Sequence, residues 1–152
     1  NMKDFNSIDE ILDFAINNEQ VAVDFYIKLA DKFDDKAMKQ TFEDFAKEEM
    51  GHKARLTSIK EKGLYDMPQE KVMDLKIADF LVHTEAKEDM SYTDALSLAM
   101  KREKAAYKLY LKLAERAPNG EMQKIFHGLA QEEARHKLRF ELEYDEFVLR
   151  EN

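Results

Sequence analysis

The sequence predicts an all-α fold, an antiparallel four-helix bundle with one long crossover between its second and third helices. Three observations lead there. Apolar residues recur in alternating steps of three and four along four separate stretches, the spacing of a bundle seam. Turn formers are scarce, with 4 Gly and 2 Pro in 152 residues, so the chain has few places to bend sharply. Residues 7–56 also reappear, without a gap, as residues 91–140, with 17 of the 50 positions identical. A repeat of that length marks one two-helix unit used twice.

Helix A is expected over about residues 8–33, opened by the capping-box sequence Ser7-Ile8-Asp9-Glu10. Its seam reads Leu12, Ala15, Glu19, Ala22, Tyr26, Leu29, Phe33. The turn Phe33-Asp34-Asp35-Lys36 leads into helix B, about 36–62, with the seam Met38, Phe42, Phe45, Glu49, His52, Leu56, Ile59. Gly63 is a natural C-cap. Residues 63–90 then form the crossover, long enough for helix C to run parallel to helix B. Its stretch 71–82 carries enough apolar residues to pack on the bundle. Helix C, about 92–116, starts at Ser91-Tyr92-Thr93-Asp94 and carries Leu96, Ala99, Glu103, Ala106, Tyr110, Leu113. Ala117-Pro118-Asn119-Gly120 breaks the helix. Helix D, about 120–149, carries Met122, Phe126, Leu129, Glu133, His136, Phe140. The whole is expected to be one domain over residues 1–152.

Composition removes several function classes. There are no cysteines, hence no disulfide, zinc ribbon, iron–sulfur cluster or thiol chemistry in this sequence. A net charge of −8 argues against a nucleic-acid partner, which wants a basic face. No apolar run reaches the ~20 residues that span a bilayer, so no membrane role is expected. No signal peptide is visible and the cytoplasm is the default location.

Each half carries one lone glutamate and one Glu-x-x-His motif. The first half has Glu19 and then Glu49 with His52; the second has Glu103 and then Glu133 with His136. All six lie on core seams near the middle of their helices, so they can meet at one level. The three-residue step within each motif puts carboxylate and imidazole on one helical face. An unpaired buried charge costs several kcal/mol, and four clustered carboxylates repel one another. Protons or cations must neutralise them. Two divalent metals would match the charge of the four glutamates, and each histidine would add a neutral nitrogen. Carboxylate and imidazole ligands suit iron, with manganese possible in one or both positions. The bridging role falls to Glu49 and Glu133, the terminal role to Glu19 and Glu103. Glu48 and Glu132, beside the motifs, could support the ligands from behind but read first as solvated or salt-bridged residues; His83 and His127 read as surface or boundary histidines.

The pattern of Glu, Glu-x-x-His, Glu, Glu-x-x-His on four helices resembles the ferritin-like di-iron carboxylate superfamily. With a tyrosine one heptad past each lone glutamate, it is most similar to the rubrerythrin family. That resemblance implies two iron ions and tyrosines, Tyr26 and Tyr110, that hydrogen-bond the ligating carboxylates. The sequence departs from the family in two ways. It has no cysteine for a rubredoxin domain, so electrons would come from a separate rubredoxin-like donor. Ala106 stands where rubrerythrins offer a further glutamate. The symmetric six-ligand set is closer to bacterioferritin, and Met50 matches the position of the bacterioferritin haem-ligating methionine, although packing is the expected role of Met50. The resemblance implies an oxidoreductase that reduces hydrogen peroxide or dioxygen, in a homodimer or larger homo-oligomer. A ferroxidase or iron-handling protein, or a bundle merely stabilised by metal, are the alternatives.

Overall fold

The structure, a computed structural model, describes residues 8–63, 86–117 and 119–151. They form four helices: α1 (Ile8–Lys32), α2 (Lys36–Lys62), α3 (Tyr92–Glu115) and α4 (Gly120–Glu151). The bounds expected from sequence agree to within two residues, and for α2 they coincide. The Ser7 cap, Pro118, the apolar stretch 71–82 and His83 lie outside the described residues.

The helix ends follow from local chemistry. The Asp35 carboxylate accepts from the free N–H groups of Ala37 and Met38, at 2.9 and 3.1 Å, and starts α2. Ser91 Oγ accepts from Asp94 N at 3.1 Å and starts α3. Asn119 Oδ1 accepts from Met122 N at 2.9 Å and starts α4. Gly63 closes α2 in the left-handed region, at φ 61°, where a Cβ would be strained.

The seams meet in the interior. Every seam residue named above is buried except Phe33 and Met38, which are half-buried at the bundle end. The apolar interior forms two clusters, each drawing on all four helices. One gathers Leu12 and Ala15 of α1, Leu56 and Ile59 of α2, Tyr110 and Leu113 of α3, and Met122 and Phe126 of α4. The other gathers Tyr26 and Leu29, Phe42 and Phe45, Leu96 and Ala99, and Phe140. Between them lie the six buried glutamates and histidines.

These groupings fix direction. The start of α1 packs with the end of α2, the end of α3 and the start of α4. Helices α1 and α2 are therefore antiparallel, as are α3 and α4, while α2 and α3 run the same way. That parallel order of α2 and α3 is what the crossover reading requires. The closest backbone approaches are α1 on α2 and α3 on α4. Side-chain bonds then join α1 to α3 and α2 to α4.

The caps are separable from the core, which yields one stability prediction. Asp35→Ala leaves two helix-end N–H groups without their acceptor and should cost about 1 kcal/mol. Urea unfolding would read this as a lower midpoint with an unchanged slope.

Candidate metal centre

Glu19, Glu49, His52, Glu103, Glu133 and His136 are each at most 4 % exposed and form one layer. The two imidazole rings lie parallel, 5.7 Å apart at an interplanar angle of 3°. Their Nδ1 atoms face inward. His52 Nδ1 is 3.2 Å from Glu49 Oε1, 3.2 Å from Glu133 Oε1 and 3.3 Å from Glu19 Oε2. His136 Nδ1 is 3.4 Å from Glu133 Oε1, 3.5 Å from Glu49 Oε1 and 3.6 Å from Glu103 Oε2. Glu49 and Glu133 thus stand beside both histidines, while Glu19 meets only His52 and Glu103 only His136.

Each lone glutamate is held from behind by a tyrosine of another helix. Tyr26 Oη of α1 donates to Glu103 of α3, and Tyr110 Oη of α3 donates to Glu19 of α1. Burial first, then the neighbouring carboxylates, push both phenols well above the usual tyrosine range, so they remain donors at any ordinary pH. The outer Nε2 atoms are anchored too. His52 Nε2 is 3.0 Å from Glu132, and His136 Nε2 is 3.1 Å from Glu48. Arg55 and Arg139 hold those two glutamates, at 3.3 and 3.1 Å. Glu48 and Glu132 are therefore salt-bridged, as the sequence favours, and also fix the imidazole orientation, the alternative the sequence left open. A carboxylate on the outer nitrogen orients the inner one toward a metal.

One residue of the layer was missed. Arg102 is 5 % exposed, and its guanidinium lies among the carboxylates on the α1/α3 side. Its Nη1 donates to Glu49 at 3.2 Å and Glu103 at 3.4 Å, and stands 3.9 Å from Glu133. Its Nη2 donates to the Asn18 carbonyl at 3.1 Å and lies 4.0 Å from Glu19. The sequence reading left protons or added cations to balance the carboxylates; a resident cation does part of this. A signal was present: Ala95, Ala99, Arg102, Ala106, Leu109 and Leu113 step by four and three along α3, and all are buried. Arg102 is the one charged residue on that stripe.

Charge inside the layer is strongly redistributed. Burial disfavours a cationic imidazole, but the close carboxylates of Glu133 and Glu19 prevail and raise His52 to about 10. The same balance, through Glu103 and Glu133, raises His136 to about 9. Burial and then the surrounding carboxylates push Glu49 well up. Burial and Glu133, opposed by His136 and Arg102, bring Glu103 to about 7. Glu133 goes the other way: burial would raise it, but both histidines and Arg102 hold it below the usual range. Two imidazolium ions and Arg102 set three positive charges against four carboxylates, so one retained proton closes the balance.

Even so, Glu19 Oε1, Glu49 Oε1, Glu103 Oε2, both Glu133 oxygens and His136 Nδ1 are buried without a hydrogen-bond partner. Buried polar atoms are nearly always satisfied. Oxygen and imidazole donors converging without protein partners fit a metal. Candidate ligand atoms of Glu49, His52, Glu133 and His136 all lie within 4.8 Å of one another. A recess of about 270 Å³ on the α2/α4 face, rimmed by Arg55, Arg135 and Arg139, reaches the edges of both imidazoles. Met50 lies on the outer surface of α2, 47 % exposed, and His127 is exposed on α4.

A four-helix bundle around a buried glutamate–histidine layer is the architecture of ferritin-like di-iron carboxylate proteins. The chain belongs to the rubrerythrin family, whose pattern matches residues 10–144. It is similar in structure to a hypothetical protein from Pyrococcus furiosus, with TM-score 0.70 and 28% identity, over 91% of this chain and 89% of that one. A protein from Thermotoga maritima described as ferritin-like and diiron-carboxylate shares the fold, with TM-score 0.75 and 22% identity, over 94% of this chain and 97% of that one. No curated protein matches the sequence. Among the described residues no helix is long and apolar enough to cross a membrane.

The raised histidines give stability a definite pH dependence. Below the ordinary imidazole value of 6.5, folded and unfolded states both carry these protons and the imidazolium–carboxylate bonds contribute fully. Above it only the folded state retains them, so stability falls as pH rises through about 9 and about 10. Glu49 and Glu103, also raised, act in the same direction. Metal-free protein should therefore show a thermal midpoint that declines steadily from pH 6.5 to 10. A midpoint that is flat or rising across that window would contradict the charge assignment.

Proposed function

We propose that the chain is a di-iron oxidoreductase that reduces hydrogen peroxide or dioxygen with electrons from a separate rubredoxin-like donor protein. The observation that carries this is the set of unpartnered carboxylate oxygens around two inward Nδ1 atoms. Glu19 and His52 would hold one iron, Glu103 and His136 the other, with Glu49 and Glu133 shared between them. Manganese could replace iron on the same donors. Bound ferrous ions would supply two electrons, and peroxide with two protons would become two waters.

This chain's own side chains do the rest. Tyr26 and Tyr110 hold the lone glutamates in place, while Glu48 and Glu132 aim the imidazoles. The apolar clusters on both sides wall the layer from bulk water. The recess over the histidines gives a small oxidant a short way in. A homo-oligomer is supported by apolar side chains left on the outer faces, among them Met50, Leu138 and Leu142. The absence of any membrane-crossing helix among the described residues is compatible with a cytoplasmic role. Iron handling is the second reading. It is favoured by Ala106, which is buried beside the layer and offers no further carboxylate.

Anaerobic loading with Fe(II), followed by separate additions of peroxide and dioxygen, tests the proposal. Bound iron should be oxidised at one peroxide per two irons and be restored by a reduced rubredoxin-type donor. Glu49→Ala should abolish loading. Oxidised iron that leaves the site as mineral within a cage-sized assembly would favour iron handling. Protein that takes up neither iron nor manganese would refute the metal centre.

A further inference from the structure

Six pairs of the two halves match residue for residue, while Asn18/Arg102, and at the edge of the layer Phe45/Leu129 and Gly51/Arg135, do not. Glu19 and Glu103, Glu49 and Glu133, His52 and His136, Tyr26 and Tyr110, Glu48 and Glu132, and Arg55 and Arg139 all stand 84 positions apart and make reciprocal contacts. Asn18 and Arg102 are also 84 apart. Asn18 is neutral and partly exposed, whereas Arg102 is a buried permanent cation. The Asn18 carbonyl accepts from Arg102 Nη2 and so fixes the guanidinium in place.

Arg102 is not centred. It hydrogen-bonds Glu103 and Glu49, but reaches Glu19 only at 4.0 Å. Its carbon end also lies 5.9 Å from the Tyr26 ring, the tyrosine that donates to Glu103. Glu103 therefore has two donors competing for its electron density, a phenol and a guanidinium. Glu19, its counterpart, has the Tyr110 phenol and His52 but no guanidinium hydrogen bond.

Resting on the dimetal reading above, we propose that Arg102 makes the two metal positions unequal. The position of Glu19 and His52 fills first and tightly. The position of Glu103 and His136 fills later and more weakly. The physical cause is twofold. Coulomb repulsion from a fixed cation within the layer acts on any arriving dication. The Arg102 hydrogen bonds to the outer oxygens, Glu103 Oε1 and Glu49 Oε2, also draw electron density from the inner oxygens that would face the second metal. Filling both positions gives four positive metal charges plus Arg102 against four carboxylates. The fully loaded layer then carries one excess positive charge, which a symmetric layer with two neutral partners would not.

Titration with Mn(II), followed by electron paramagnetic resonance, tests this without recourse to activity. Wild-type protein at half loading should show an isolated Mn(II) signal, and a second dissociation constant at least ~10-fold above the first. Glu103→Gln should spare the tight step, and Glu19→Gln should remove it. Arg102→Gln should lower the second dissociation constant ~10-fold or more. Arg102→Lys, which keeps the charge, should retain stepwise filling and guards against a loss that merely reflects misfolding. Glu19→Gln and Glu103→Gln with indistinguishable effects, or Arg102→Gln that binds as wild type does, would overturn the inference while leaving the dimetal site standing. No Mn(II) or Fe(II) binding by wild-type protein would overturn the dimetal site and this inference with it.

Discussion

Four glutamate carboxylates share the middle of a bundle whose interior is otherwise apolar, and in that low dielectric they repel one another unless positive charge stands among them. The surrounding layer can be understood as an answer to that repulsion. Arg102 inserts one cation from α3. His52 and His136 are driven to the imidazolium form. Glu49 is driven toward its neutral acid. These measures balance charge but leave oxygens of all four glutamates without hydrogen-bond partners. A layer built only for stability would be better served by apolar side chains of similar volume. The retained carboxylates therefore point to a bound cation as their purpose.

The same layer explains why the bundle is paired as it is. Each tyrosine reaches from one hairpin to a glutamate of the other, and each outer glutamate bridges a histidine and an arginine on facing helices. The reciprocal bonds register the two hairpins against each other at one height. The apolar clusters above and below supply most of the burial energy, with ~1.5–3 kcal/mol for each large side chain taken from water. Apolar burial is non-directional, whereas the hydrogen bonds of the polar layer are directional. The polar layer specifies the register. Its dependence on geometry also makes it the place where one asymmetric residue, Arg102, can change function without changing fold.

Much of this was legible in the sequence because helical periodicity and the repeat are both one-dimensional signals. The seam of three and four steps located each helix, and the two Glu-x-x-His motifs fell on it. Asp35, Ser91, Asn119 and Gly63 mark helix ends by local chemistry that needs no tertiary context. Arg102 escaped because a seam was traced through Glu103, its neighbour, and only one residue per turn was followed. The wider stripe through Ala99, Arg102 and Ala106 becomes visible once α3 is known to be packed on two sides. The bonds of Glu48 and Glu132 to the histidines are only a secondary possibility in the sequence, for another reason. Each crosses from α2 to α4, and spacing along one helix says nothing about what faces it. How the crossover packs is a tertiary question of the same kind.

The central claim is that two metals lie between the imidazoles and the lone glutamates, sharing Glu49 and Glu133. Anomalous scattering from crystals of the iron-loaded protein, measured on both sides of the iron edge, tests it most directly. Two peaks should appear in the layer, one beside His52 Nδ1 and Glu19 and one beside His136 Nδ1 and Glu103, each within bonding distance of Glu49 and Glu133. A single peak on the outer Nε2 side near Glu48 or Glu132, or no peak in the layer, would contradict it.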